Sequence, residues 1–129
     1  MSQGGALTLY TGLHTQYKLG GIVGIITYLP RLLWGPIELP KDQEYVLNSN
    51  TPVIHINGED DDTIPLEDGK ATRDALSQVM PDYSFLTYPG GHSMCCVSNP
   101  FAIRQIIKWL DQKSNVNVRL CWIPFVCSK

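Results

Sequence analysis

Ser2-Gln3-Gly4-Gly5-Ala6-Leu7-Thr8-Leu9-Tyr10-Thr11, with Ile22-Val23-Gly24-Ile25-Ile26-Thr27 a short way downstream, is the stretch that decides the fold. From Gln3 to Tyr17 the apolar residues Ala6, Leu9, Tyr10, Leu13 and Tyr17 recur at helical spacing, and Gly20-Gly21 ends the helix. Ile22 to Thr27 is a continuous run rich in β-branched residues, the pattern of a strand buried on both faces of a parallel sheet. A serine followed by a glycine pair thus opens a helix that leads into a buried strand. That order predicts α/β architecture and makes the hydroxyl at the helix start a candidate for chemistry.

The alternation continues downstream. Thr51-Pro52 and Val53-Ile54-His55-Ile56 repeat the buried-strand pattern after a Pro-rich loop from Leu29 to Asn50, and long loops in compact domains are often functional. Leu66 to Met80 places Ala71, Ala75, Leu76 and Val79 on one helical face. Ser84 to Tyr88 reads as a third strand, and Asn99 to Gln112 directs Ile103, Ile106, Ile107 and Leu110 inward. Helices between strands imply a parallel sheet with right-handed crossovers. Beyond Lys113 the period changes to two, with Val116, Val118, Leu120 and Trp122 alternating with Asn117, Arg119 and Cys121. Two readings of this tail stand: an extra strand that covers an exposed sheet edge, or an unstructured extension.

With 129 residues, 43% hydrophobic and 17% charged, the chain suits one globular domain and is too apolar for a disordered one. The net charge of −2 and the scattered Lys and Arg leave no basic footprint, so nucleic acid is excluded as a partner. No apolar run reaches the length of a membrane span, and the first residues lack signal-peptide character, so stable membrane insertion is not expected and a cytosolic location is. Cys95, Cys96, Cys121 and Cys127 lack zinc-ribbon spacing and read as reduced thiols. A metal site at His92-x-x-Cys95-Cys96 is outweighed by small residues packing beneath a loop, and no cofactor is expected. His55, inside a strand, and His14, at a helix end, read as structural.

Ser2-Gln3-Gly4 is the second half of the G-x-S-x-G pattern that sets a serine on a sharp strand-to-helix turn, without the leading glycine and strand. Gly58-Glu59-Asp60-Asp61-Asp62-Thr63-Ile64-Pro65 offers carboxylates, and Tyr88-Pro89-Gly90-Gly91-His92-Ser93 offers an imidazole on a glycine loop. The chain order Ser, Asp, His is that of an α/β-hydrolase triad. The carboxylate run taken alone is a solvated acidic loop, and as a calcium loop it fails the EF-hand spacing.

These three segments resemble the acyl-protein thioesterase and small carboxylesterase family over about residues 2 to 112. The resemblance implies a partial α/β-hydrolase fold, a three-layer α/β/α arrangement with a mostly parallel sheet and the N-terminal strands missing. It divides the chain into a truncated domain, 1–112, and a C-terminal extension, 113–129, foreign to the family. Ser2 would be the nucleophile, His92 the base and Asp61 the acid, chosen because it stands four residues before Pro65 as the family's acid does. Asp60 or Asp62 would take that role under a shifted alignment. The Gln3 N–H would form half of an oxyanion hole.

Tyr28, where the family usually has tryptophan, with Leu29 and Pro30, would line an acyl channel; Leu32, Leu33 and Trp34 extend the same apolar cluster, whose plainer reading is core cover. The implied substrate is a small ester, a lysophospholipid or a fatty-acylated protein. The alternative is a catalytically impaired paralogue that binds acyl chains or a protein. A third reading has a second chain, or a second copy of this one in a homodimer, supplying the absent strands.

Overall fold

The computed structural model describes residues 1–29, 48–92 and 100–113. In chain order they form α1 (Gln3–His14), β1 (Ile22–Ile25), β2 (Val53–Gly58), α2 (Leu66–Leu76), β3 (Tyr83–Tyr88) and α3 (Pro100–Lys113). The strands make one parallel sheet in the order β1-β2-β3, with Ile22 opposite Val53 and Val53 opposite Tyr83. The alternating α/β reading of the sequence is therefore the architecture observed.

β2 is central, so all six of its residues are buried, and its side chains alternate between two cores. Val53 packs with Leu9, Leu13, Ile22, Leu29, Leu76 and Met80 under α1 and α2. Ile54 and Ile56 pack with Ile26, Ile64, Tyr88, Ala102 and Trp109 under α3. Helices thus cover both faces, as a parallel sheet requires.

The helix faces differ from the expectation in instructive ways. On α1 the buried stripe is Gly5, Ala6, Leu9, Gly12 and Leu13, whereas Tyr10 stacks on His14 at 3.9 Å and is, like Tyr17, exposed. Tyrosine carries a polar end that water satisfies. On α2 the buried residues are Gly69, Thr72 and Leu76, while Val79 lies beyond the helix and is exposed. The cause is a close approach: a Cβ on Gly69 would stand 2.5 Å from Asn57 Nδ2, so small and polar residues form the contact face. On α3 the core side is Ala102, Ile106 and Trp109, and Ile103 and Leu110 flank it, exposed. Trp109 reaches across to Gly21, where only a glycine leaves room. The alternating tail, the four cysteines, and Pro30, Leu32, Leu33 and Trp34 lie outside the described residues.

Candidate active site

Asp61 and His92 follow the C-terminal ends of β2 and β3, and Ser2, which precedes α1 in the chain, lies at the C-terminal end of β1. This is the edge at which open α/β sheets present ligand sites. Ser2 lies against the end of β1, donating its N–H to the carbonyls of Ile26 at 2.9 Å and Ile25 at 3.2 Å. Its own carbonyl accepts from the N–H groups of Gly5 and Ala6 at 2.8 and 3.0 Å, closing the first turn of α1. Ser2 is held at φ 53°, ψ −132°, a conformation that costs a side-chain-bearing residue about 1–3 kcal/mol. A serine before a helix commonly caps it with its hydroxyl; this one makes no such bond. The Gln3 N–H stands in the first turn, where helix N–H groups have no acceptor four residues back.

The acid and histidine loops are brought together because pairing of β2 with β3 continues past the strand ends. Glu59 donates its N–H to the Tyr88 carbonyl at 2.9 Å, and Asp60 donates to the Gly90 carbonyl at 3.1 Å. Gly90 takes φ 148°, open to glycine alone, and a side chain on Gly58 would collide with the Gly90 carbonyl.

Asp61 has a carboxylate with no exposed surface. One oxygen accepts from the N–H groups of Thr63 at 2.9 Å and Ile64 at 2.7 Å; the other accepts from His92 Nδ1 at 2.9 Å. Asp60 and Asp62 are exposed, so Asp61 is the carboxylate that meets His92. Because Nδ1 must donate to a carboxylate, the neutral ring carries its lone pair on Nε2, the arrangement a general base needs. Among the described residues the Ser2 hydroxyl makes no hydrogen bond to His92.

Of the proposed acyl-channel residues, Tyr28 is half-buried against the α3-side core. Leu29 is 5% exposed within the opposite core, with its N–H bonded to Thr72 Oγ1 at 2.8 Å. Pro30 lies outside the described residues. A groove of about 420 Å³ runs elsewhere, between the outer side of α1 and the start of β1, and its lining includes neither Asp61 nor His92. Among the described residues no three His, Cys, Asp or Glu stand together as a metal site. No described helix is long and apolar enough to cross a membrane.

Sequence reasoning missed Asn57, a polar residue closing the Val53–Ile56 run. Buried completely, it donates from Nδ2 to the Thr27 carbonyl at 3.1 Å and accepts the Thr27 N–H at 3.0 Å. Its signal was a side-chain amide continuing an apolar strand, where burial demands partners. His55 is structural, as its place in a strand suggested: Nε2 donates to the Thr27 carbonyl at 2.9 Å and Nδ1 accepts from the Tyr83 hydroxyl at 2.5 Å. Burial lowers its pKa to about 4, against the opposing hydrogen bonds to Thr27 and Asn57. Burial also pushes the Tyr83 phenol up, so it remains a donor.

The profile of the phospholipase/carboxylesterase family matches residues 1–110. Acyl-protein thioesterase 1 of Neurospora crassa is 38% identical over 95 residues, covering 73% of this chain and 38% of that protein. The Gibberella zeae protein of the same name is 41% identical over 96 residues, covering 71% of this chain and 38% of its own length. Among solved structures, Zea mays acyl-protein thioesterase 2 superposes with a TM-score of 0.70 at 25% identity, over 88% of this chain and 53% of that one. Arabidopsis thaliana SOBER1 gives 0.65 at 28% identity, over 88% and 50%. The chain thus spans 38% of these two curated relatives and about half of the solved neighbours. With its parallel sheet, covered faces and strand-end loops, it carries part of an α/β-hydrolase fold and belongs to the phospholipase/carboxylesterase family.

Proposed function

We propose that this chain carries the nucleophile, acid and base of a serine hydrolase that cleaves carboxylic esters or fatty-acyl thioesters. The observation that carries the reading is the bond between the buried Asp61 carboxylate and the half-buried His92, at the same sheet edge as a serine on a strained turn. In this scheme Ser2 Oγ attacks the acyl carbon while His92 Nε2 takes the hydroxyl proton. Asp61 holds the ring in that tautomer and stabilises the imidazolium. The tetrahedral oxyanion accepts from the Gln3 N–H. Collapse breaks the acyl–oxygen or acyl–sulfur bond, and His92 returns its proton to the departing alcohol or thiol. Water, deprotonated by His92, then attacks the acyl-Ser2 ester and restores the hydroxyl.

The substrate class is inferred from the relatives, three of which are named acyl-protein thioesterases, so an acylated protein or lipid is the natural donor. Of the residues assigned to an acyl channel, Tyr28 is the described one that keeps exposed surface, whereas Leu29 is enclosed in the core. Intact-mass analysis after treatment with a fluorophosphonate tests the scheme, because that reagent reports an activated serine without assuming a substrate. An adduct mapped to Ser2 and absent in His92→Ala is expected. A folded chain that forms no adduct would overturn the hydrolase reading in favour of a binding role.

A further inference from the structure

Ser2 and Ile26 are the two non-glycine residues with positive φ among the described residues, at 53° and 49°, and they are bonded to each other through the Ser2 N–H and the Ile26 carbonyl. A β-branched residue rarely adopts that region, because its Cβ crowds the adjacent carbonyl. Ile26 must therefore be held there by its surroundings. The residues that hold it come from one strand.

Three consecutive residues of β2 grip the chain just past β1. Ile26 donates its N–H to the Ile56 carbonyl at 2.7 Å. The single amide of Asn57 satisfies both backbone groups of Thr27, and His55 Nε2 adds a second donor to the Thr27 carbonyl. His55 is itself fixed by the Tyr83 hydroxyl of β3. Thr27, His55 and Asn57 are each fully buried, so no water competes for these bonds.

The Thr27 side chain carries the restraint onward. A Cβ added to Gly5 would lie 2.7 Å from Thr27 Cβ, and one added to Gly24 would lie 2.9 Å from Thr27 Cγ2. Thr27 is thus wedged between β1 and the first turn of α1, the turn that Ser2 opens.

We propose that Asn57, seconded by His55, is a positioning residue that sets the conformation of Ser2 through Thr27 and Ile26. It touches no reacting atom. The geometric claim stands on the hydrogen bonds alone; its catalytic consequence rests on the reading of Ser2 as nucleophile.

Amide hydrogen exchange by NMR on the full chain tests it, with Asn57→Leu removing the amide at similar volume. Protection at the Ser2 and Thr27 N–H groups is expected to fall by about tenfold or more relative to the β2–β3 ladder. Asn57→Ser carries the same expectation and is the variant to read if the leucine does not fold. Leu76→Ala, a defect elsewhere in the core, lowers protection without singling out Ser2. Unchanged Ser2 protection in a folded Asn57 variant would overturn the proposal.

Fluorophosphonate labelling of the same samples separates the two readings. Slower labelling of Ser2 in the Asn57 variant, in step with lost protection, supports the catalytic consequence. Equal labelling rates refute that consequence. A wild-type chain that is not labelled refutes the hydrolase reading and leaves the exchange result to decide the clamp.

Discussion

Gly4 and Gly5 are adjacent in the first turn of α1, yet replacing each with alanine should have opposite effects. Both gain the helix preference of alanine over glycine, up to about 1 kcal/mol. A Cβ on Gly4 meets nothing within 4 Å, so Gly4→Ala keeps that gain. A Cβ on Gly5 would stand 2.7 Å from Thr27 Cβ, 2.8 Å from Thr27 Oγ1 and 3.3 Å from the Ile25 carbonyl. Thr27 cannot withdraw while Asn57 and His55 hold its backbone, so the overlap costs about 1–3 kcal/mol. The preference for alanine is common to both variants and cancels in their comparison. Gly5→Ala should therefore lie about 1–3 kcal/mol below Gly4→Ala. With an m-value of about 2 kcal/mol/M, the urea midpoints separate by about 0.5–1.5 M in melts followed by circular dichroism. Coincident midpoints would refute the argument, because they would mean that Thr27 yields and the junction between β1 and α1 is soft.

Asp61→Asn should leave the fold intact, since the amide oxygen can still accept from Thr63 and Ile64, but it presents an N–H to His92 and favours the wrong tautomer; labelling of Ser2 should slow by roughly 10³–10⁴. Labelling at the wild-type rate would remove Asp61 from the mechanism. His55 stays neutral in the fold down to about pH 4 but takes a proton near pH 6.5 when unfolded, so its contribution is full above about 6.5 and is lost as pH falls. Between pH 7 and 4 that loss is about 3 kcal/mol, read as the change in the stability difference between wild type and His55→Gln; a flat difference would contradict it. The groups facing this ring are the Thr27 carbonyl, the Asn57 amide, the Tyr83 hydroxyl and Phe85, the last beside Arg73, and none of them offers His55 an anion. Leu76→Ala, at a side chain with no exposed surface, should cost about 2–5 kcal/mol in the same urea melts, and a loss under 1 kcal/mol would show that the core beneath α2 collapses to fill the space.

Element types, their order and the segments that hold Ser2, Asp61 and His92 were legible in the amino-acid order alone. Those features are local: periodicity over a dozen residues separates strand from helix, and glycines flanking a serine or a histidine mark where the backbone must turn. The preference for Asp61 over Asp60 and Asp62 came from the resemblance, whose acid also stands four residues before a proline, and Asp61 is the one whose side chain is enclosed and bonded to His92.

Which side of each helix meets the sheet, and what stands behind the serine, emerged from long-range packing. The buried face of α2 is Gly69, Thr72 and Leu76, because the helix comes so close to Asn57 that small and polar residues fit where apolar ones were expected. The grip of Asn57 and His55 on Thr27 joins residues 30 and 28 positions apart, and such a contact exists only once β1 and β2 lie in register. Hydropathy registers whether a residue prefers water, and it holds no information about which distant backbone group a buried amide will meet.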